Sequence, residues 1–200
     1  MKPFIVAINA ISGGGKTTIT RELQKSLQEN IPKVKALYFD DRNYDSDSGI
    51  EDTVEWIEAG ADVNLFNLKR LADDIENLTK EDTEIIVMDY PFGYRHKLIG
   101  PYIDYSVFID TPLDIAMARR ILREYDEKII TDIKDVLDDM KNYLERGRNA
   151  YLFGLDNVRK NADFLVDGSL TVDEIVRCIY EMIAIEYPIK LVRALRKGEL

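Results

Sequence analysis

Two hundred residues, 46% of them hydrophobic, are enough to bury a core without covalent staples. A single cysteine, Cys178, excludes an internal disulfide, and the single histidine, His96, leaves no zinc constellation, so the chain fits a reducing cytoplasm. A net charge of −10 argues against non-specific nucleic-acid binding, and no apolar run reaches signal-peptide or membrane-spanning length, so neither nucleic acid nor membrane is expected as a partner.

The first predicted element is a short apolar strand over 4–8, followed by Asn9-Ala10-Ile11-Ser12-Gly13-Gly14-Gly15-Lys16-Thr17-Thr18. The glycines let backbone N–H groups close on an anion, Lys16 adds a positive charge, and the Thr17 hydroxyl suits a magnesium ion. This is the P-loop pattern G-x-x-x-x-G-K-[ST] with Ala10 where the first glycine usually stands. The expected nucleotide-binding residues are therefore Ser12, Gly13, Gly14, Gly15, Lys16, Thr17 and Thr18. Ile19, Leu23 and Leu27, spaced four apart, predict an amphipathic helix behind the loop.

A second strand over 33–39 ends in Asp40-Asp41-Arg42-Asn43-Tyr44, and a third over 84–89 ends in Asp89. Between them lie a polar loop at 45–49, a short helix over 51–60 in which Trp56 reads as a packing residue, and a helix over 64–78. Leu65, Leu68, Leu71, Ile75 and Leu78 supply the apolar face of that last helix. A turn-rich loop, Tyr90 to His96, follows Asp89, and a strand over 105–110 leads into a helix that Thr111 should cap ahead of Pro112. Arg119 and Arg123 share one face of that helix, which is either a solvated basic surface or a phosphate contact. A further amphipathic helix spans 133–144, a last strand 162–166, and a final helix begins near Val172 and should break at Pro188.

Alternating strands and helices predict an α/β fold, a parallel sheet covered on both faces, in one domain with a lid region at about 119–148. The P-loop, Asp40, Asp41 and Asp89 then meet at the carboxyl rim. Phosphoryl transfer there needs a phosphate cradle, a divalent ion, added positive charge and an oriented nucleophile. Lys16, Arg119 and Arg123 would neutralise charge. Thr17 and Asp89 would hold Mg²⁺, Asp89 directly, through water, or only by orienting Thr17. Asp41 or Asp40 would accept the proton of a substrate hydroxyl.

Along most of its length the chain resembles the uridine kinase-like P-loop kinases. The residues that carry the likeness are Ser12 to Thr18, Asp41-Arg42-Asn43-Tyr44, Ile109 to Leu113 running into Ala118 to Glu124, and Ala162 to Val166. The resemblance implies a five-stranded parallel core, ATP or GTP with Mg²⁺, a small hydroxyl-bearing acceptor, Asp41 as catalytic base and Tyr44 near the substrate. The insertion that reads the pyrimidine in uridine kinases has no counterpart between Leu78 and Glu84, so Arg95 and His96, beside Tyr94, are the alternative substrate contacts. Lys128, Arg146 or Arg148 stand in for the lid arginines. The reading is an ATP-dependent small-molecule kinase. A nucleotide-dependent switch NTPase or a catalytically reduced relative is the alternative.

Overall fold

The computed structural model describes residues 2–40, 44, 50, 52–125 and 132–197, with backbone alone beyond Pro188. Five parallel strands form one sheet: β1 (Phe4–Asn9), β2 (Val34–Tyr38), β3 (Ile85–Asp89), β4 (Tyr105–Asp110) and β5 (Phe164–Asp167), in the order β2-β3-β1-β4-β5. β1 runs down the centre and is buried on both faces, which is why its sequence is continuously apolar as far as Ile8 rather than alternating. Its alternate residues divide the core. Val6 and Ile8 pack beneath α1 (Lys16–Gln28) and α7 (Val172–Lys197), against Ile19, Leu23, Leu27, Ile175 and Ile179. Ile5 and Ala7 face the layer built around α3 (Lys69–Lys80), against Leu71 and Ile75. Each such buried Val, Leu or Ile side chain stabilises the fold by about 1.5–3 kcal/mol.

The register brings the functional ends together. Ile8 pairs with Asp89 across β1 and β3, Tyr38 pairs with Asp89 across β2 and β3, and Asn9 pairs with Phe108 of β4. The P-loop, Asp40 and Asp89 therefore leave the sheet at one edge.

Three local expectations change. The predicted helix over 64–78 begins only at Lys69. Asp62 accepts the Asn64 N–H at 2.9 Å in a tight turn, and Phe66 is extended so that its ring reaches Phe92 (4.7 Å between centroids), which leaves Leu65 exposed. α7 runs through Pro188 instead of breaking there. Proline removes one intrahelical bond, but Tyr187 beside it is anchored to Glu84 at 3.2 Å and to the Phe4 ring at 5.9 Å, and that packing holds the helix on course. The Thr111 hydroxyl does not cap α4 (Leu113–Tyr125); it donates to the Gly14 carbonyl at 3.1 Å and braces the P-loop from behind.

Of the remaining helices, α2 (Thr53–Glu58) and α6 (Arg148–Phe153) lie beside the carboxyl rim, and α5 (Ile133–Asn142) lies beside α4, where Asp139 pairs with Arg120. Two wide π turns, 143–147 and 154–158, flank α6 and let one helical stretch bend round the cleft. Ile133, Leu137, Met140 and Leu144 point largely to solvent, so the amphipathic pattern of α5 marks a helix standing off the core. Among the described residues no helix is long and apolar enough to cross a membrane.

Candidate active site

The loop between β1 and α1 departs from ordinary backbone at two glycines, Gly13 (φ +74°) and Gly15 (φ +95°). Ala10 keeps φ negative and is buried against Gly14, where a Cβ would come within 2.6 Å of the Ala10 methyl. Alanine is thus accommodated at the first motif position because Gly14 has no side chain. Gly15 caps α1 without a side-chain hydrogen bond, and the first turn of α1 contains no acidic residue. What stands at that positive helix end is another positive group, Lys16. An anion is the missing partner, and a phosphate chain fits.

Thr17 donates from Oγ1 to Asp89 Oδ2 at 2.5 Å, and Asp89 is buried. The hydroxyl keeps its lone pairs, and a carboxylate stands beside it at the end of β3. Among the described residues there is no group of three or more His, Cys, Asp or Glu able to hold a metal alone. Two hard oxygen donors beside a phosphate cradle instead fit Mg²⁺, which takes few protein ligands and completes its shell with phosphate and water.

A cleft of about 750 Å³ opens over this loop. Ser12, Gly13, Gly15, Lys16, Thr17 and Thr18 form its floor, Asp40 one side, and Arg119 and Arg123 of α4 another. Arg120, between them, turns away and pairs with Asp139 of α5. Arg123 also reaches Glu124 at 3.2 Å, an exposed pair of small energetic weight. Opposite the phosphate floor stands an aromatic wall of Trp56, Phe92 and Phe153, with Thr53, Ile57 and Pro91. Trp56 meets Phe153 edge-on at 5.3 Å and Phe92 at 6.2 Å, and its indole N–H donates to the Asp62 carbonyl at 3.0 Å. It therefore both packs and lines the cleft.

The other expected substrate contacts lie elsewhere. Tyr44 is buried, its hydroxyl donating to Asp74 at 2.6 Å. His96 is buried behind the wall, with Nε2 3.0 Å from the Phe66 carbonyl oxygen and Nδ1 accepting from Leu98 N–H at 3.3 Å, so both ring nitrogens serve the loop. Arg95 donates to Asn157 at 3.2 Å and lies over the Phe153 ring at 5.3 Å, buttressing the wall from outside. Arg146 pairs with Glu58 of α2 at 3.1 Å, and Arg148 lines a separate groove between α4 and α5. Asp41 and Lys128 lie outside the described residues. Tyr151 of α6 is buried, and its hydroxyl faces Ser12 of the P-loop and the Arg120 guanidinium. Burial pushes its pKa up while the guanidinium opposes that shift.

No family model matches the chain. It is 26% identical to a uridine kinase of Leuconostoc citreum over 190 aligned residues, which cover 83% of this chain and 88% of that enzyme. By sequence the chain is thus similar to enzymes named uridine kinase. A uridine kinase of Staphylococcus haemolyticus is 24% identical over 182 residues, 81% of this chain and 86% of that one. In three dimensions the chain matches a gluconokinase from Sinorhizobium meliloti with a TM-score of 0.56 at 14% identity, covering 96% of this chain and 98% of the other. The fold, a five-stranded parallel sheet flanked by helices, is that of the P-loop NTPases.

Proposed function

We propose that the protein is an ATP- and Mg²⁺-dependent kinase that moves the γ-phosphoryl group onto a hydroxyl of a nucleoside-like small molecule. One observation carries the reading: a phosphate floor, a carboxylate, two arginines and an aromatic wall border the same cleft. The floor and Lys16 hold the phosphates, and bound Mg²⁺ would shield the charge between them. The acceptor oxygen forms the new bond to phosphorus, the bond to the β-phosphate oxygen breaks, and the hydroxyl proton passes to a carboxylate, leaving ADP. We assign that base to the Asp40-Asp41 pair, Asp41 by its place in the sequence. Arg119 and Arg123 act on the charge that develops, and the region at about 119–148 serves as a lid that excludes water.

The wall favours an acceptor with a flat, uncharged ring, because aromatic side chains there offer edge and face contacts and, among the described residues, no cation lines that side of the cleft. This supports a nucleoside over a sugar acid. It also offers a substitute for the absent pyrimidine-reading insertion: α3 passes to β3 through a tight turn with Asp82 at φ +60°.

The test is γ-phosphate transfer from labelled ATP with Mg²⁺ to a panel of nucleosides, ribosides and sugars, each beside an acceptor-free control. Transfer to a ring-bearing acceptor supports the proposal. Phosphate release that no acceptor changes points to the switch NTPase. Asp41→Asn should lower transfer roughly 10²–10⁴-fold with little change in KM for ATP, and Asp40→Asn run beside it reports which member of the pair takes the proton. Asp89→Asn, which keeps the shape beside Thr17 but removes the charge, should raise the Mg²⁺ concentration for half-maximal rate roughly 10–100-fold; an unchanged Mg²⁺ titration would count against its role at the ion.

A further inference from the structure

Asn9 is the last residue of β1, and no part of it reaches solvent. The two N–H groups of its side-chain amide are shared among three acceptors, the Val107 carbonyl at 2.9 Å, the Ser106 hydroxyl at 3.1 Å and the Ala7 carbonyl at 3.1 Å. Its Oδ1 accepts the Gly93 N–H at 2.9 Å. One side chain thus ties three segments: the strand that feeds directly into Ala10 and the P-loop, the neighbouring strand β4, and the turn that begins at Phe92. That turn is held a second time, since the Tyr94 hydroxyl donates to Asp163, which also accepts Ser106 N–H at 2.8 Å. A buried amide with both its oxygen and its nitrogen engaged is costly to disturb, because any partner left behind is unsatisfied and shut off from water.

We infer that Asn9 is a positioning residue that fixes the aromatic wall relative to the phosphate loop, and so couples the acceptor side of the cleft to the nucleotide side. This rests on the kinase reading of the cleft. Phe92, the residue before Gly93, is the central ring of the wall: it meets Trp56 at 6.2 Å, Phe66 at 4.7 Å and Phe39 at 5.6 Å. Without Asn9 the turn is held only through Tyr94, two residues beyond Phe92, so the Phe92 end can shift and the wall with it. The P-loop itself is held independently, by Thr111 on the Gly14 carbonyl and by the Gly14 N–H on the Ile11 carbonyl at 2.9 Å. Loss of Asn9 should therefore fall on the acceptor more than on the nucleotide.

The experiment uses the whole chain with Asn9→Ser and, as a milder change in the same network, Ser106→Ala. Three quantities are read: MgATP affinity by titration, acrylamide quenching of Trp56, which is the only tryptophan, and steady-state transfer to uridine as the probe acceptor. The expected result is MgATP affinity within about twofold of wild type, stronger quenching of Trp56, and a KM for uridine raised roughly 10–100-fold, the scale on which a small misplacement near a reacting group acts. Equal weakening of MgATP and uridine, or unchanged quenching with unchanged KM, overturns the inference. If the wild type does not phosphorylate uridine, that bears on the acceptor assignment; the quenching and MgATP results still judge Asn9. If Asn9→Ser does not fold, Ser106→Ala decides, with the same direction expected at smaller amplitude.

Discussion

Lys16→Ala is expected to lower phosphoryl transfer by roughly 10³-fold or more, the scale on which a positive group aimed at transferring phosphate contributes. Its effect on stability should have the opposite sign. Lys16 is the first residue of α1, where the helix dipole is positive, and no acidic residue in the first turn offsets it. A cation there costs about 0.3–1 kcal/mol, so the alanine variant should melt at or slightly above the wild-type temperature in the absence of nucleotide. Adding MgATP should raise the melting temperature of the wild type, because a ligand bound only by the folded state stabilises it, and should do so little or not at all for the variant. A variant that melts lower without nucleotide would make Lys16 a structural residue and remove the electrostatic argument for the anion site.

The same logic separates what was legible in the sequence from what was not. The central strands β1, β3 and β4, and α1, could be read because burial on both faces demands continuous apolar runs, and because Ile19, Leu23 and Leu27 keep the helical period. The phosphate floor could be read because glycines, a lysine and a threonine at fixed spacing have few other uses. The start of α3 could not: Leu65 fits the periodicity, yet the Asp62 turn and the packing of Phe66 win over it. Tyr44 and His96 sit in loops next to the expected chemistry, but their side chains face inward, and only the fold determines that direction. The aromatic wall was illegible for a different reason. Trp56, Phe92 and Phe153 come from α2, the loop after β3 and α6, and each alone reads as a packing residue. Asn9 reads in the sequence as the residue after a strand over 4–8, yet β1 extends through it, and an amide at the end of an otherwise apolar strand is itself a cue that something must satisfy it.

Gly13→Ala and Gly15→Ala should fail in different ways, and the contrast tests whether the loop is a rigid cradle open to a ligand. Both glycines have positive φ, so alanine at either costs roughly 1–2 kcal/mol for the left-handed backbone alone. At Gly13 the added Cβ would lie 2.1 Å from the Ala116 carbonyl oxygen, a backbone atom inside α4 that no side-chain rotation can clear. The loop or the helix must move, so Gly13→Ala should lose more stability than the conformational cost, and phosphate binding with it. At Gly15, which lines the cleft, a Cβ meets nothing within 4 Å. Gly15→Ala should therefore show a modest fall in melting temperature, yet lose most of its MgATP affinity, because the methyl occupies space that the phosphates need. Chemical denaturation and nucleotide titration on the two variants separate these effects. Equal stabilities would show that α4 yields to the methyl at Gly13, and full MgATP affinity in Gly15→Ala would place the phosphates somewhere other than over the start of α1.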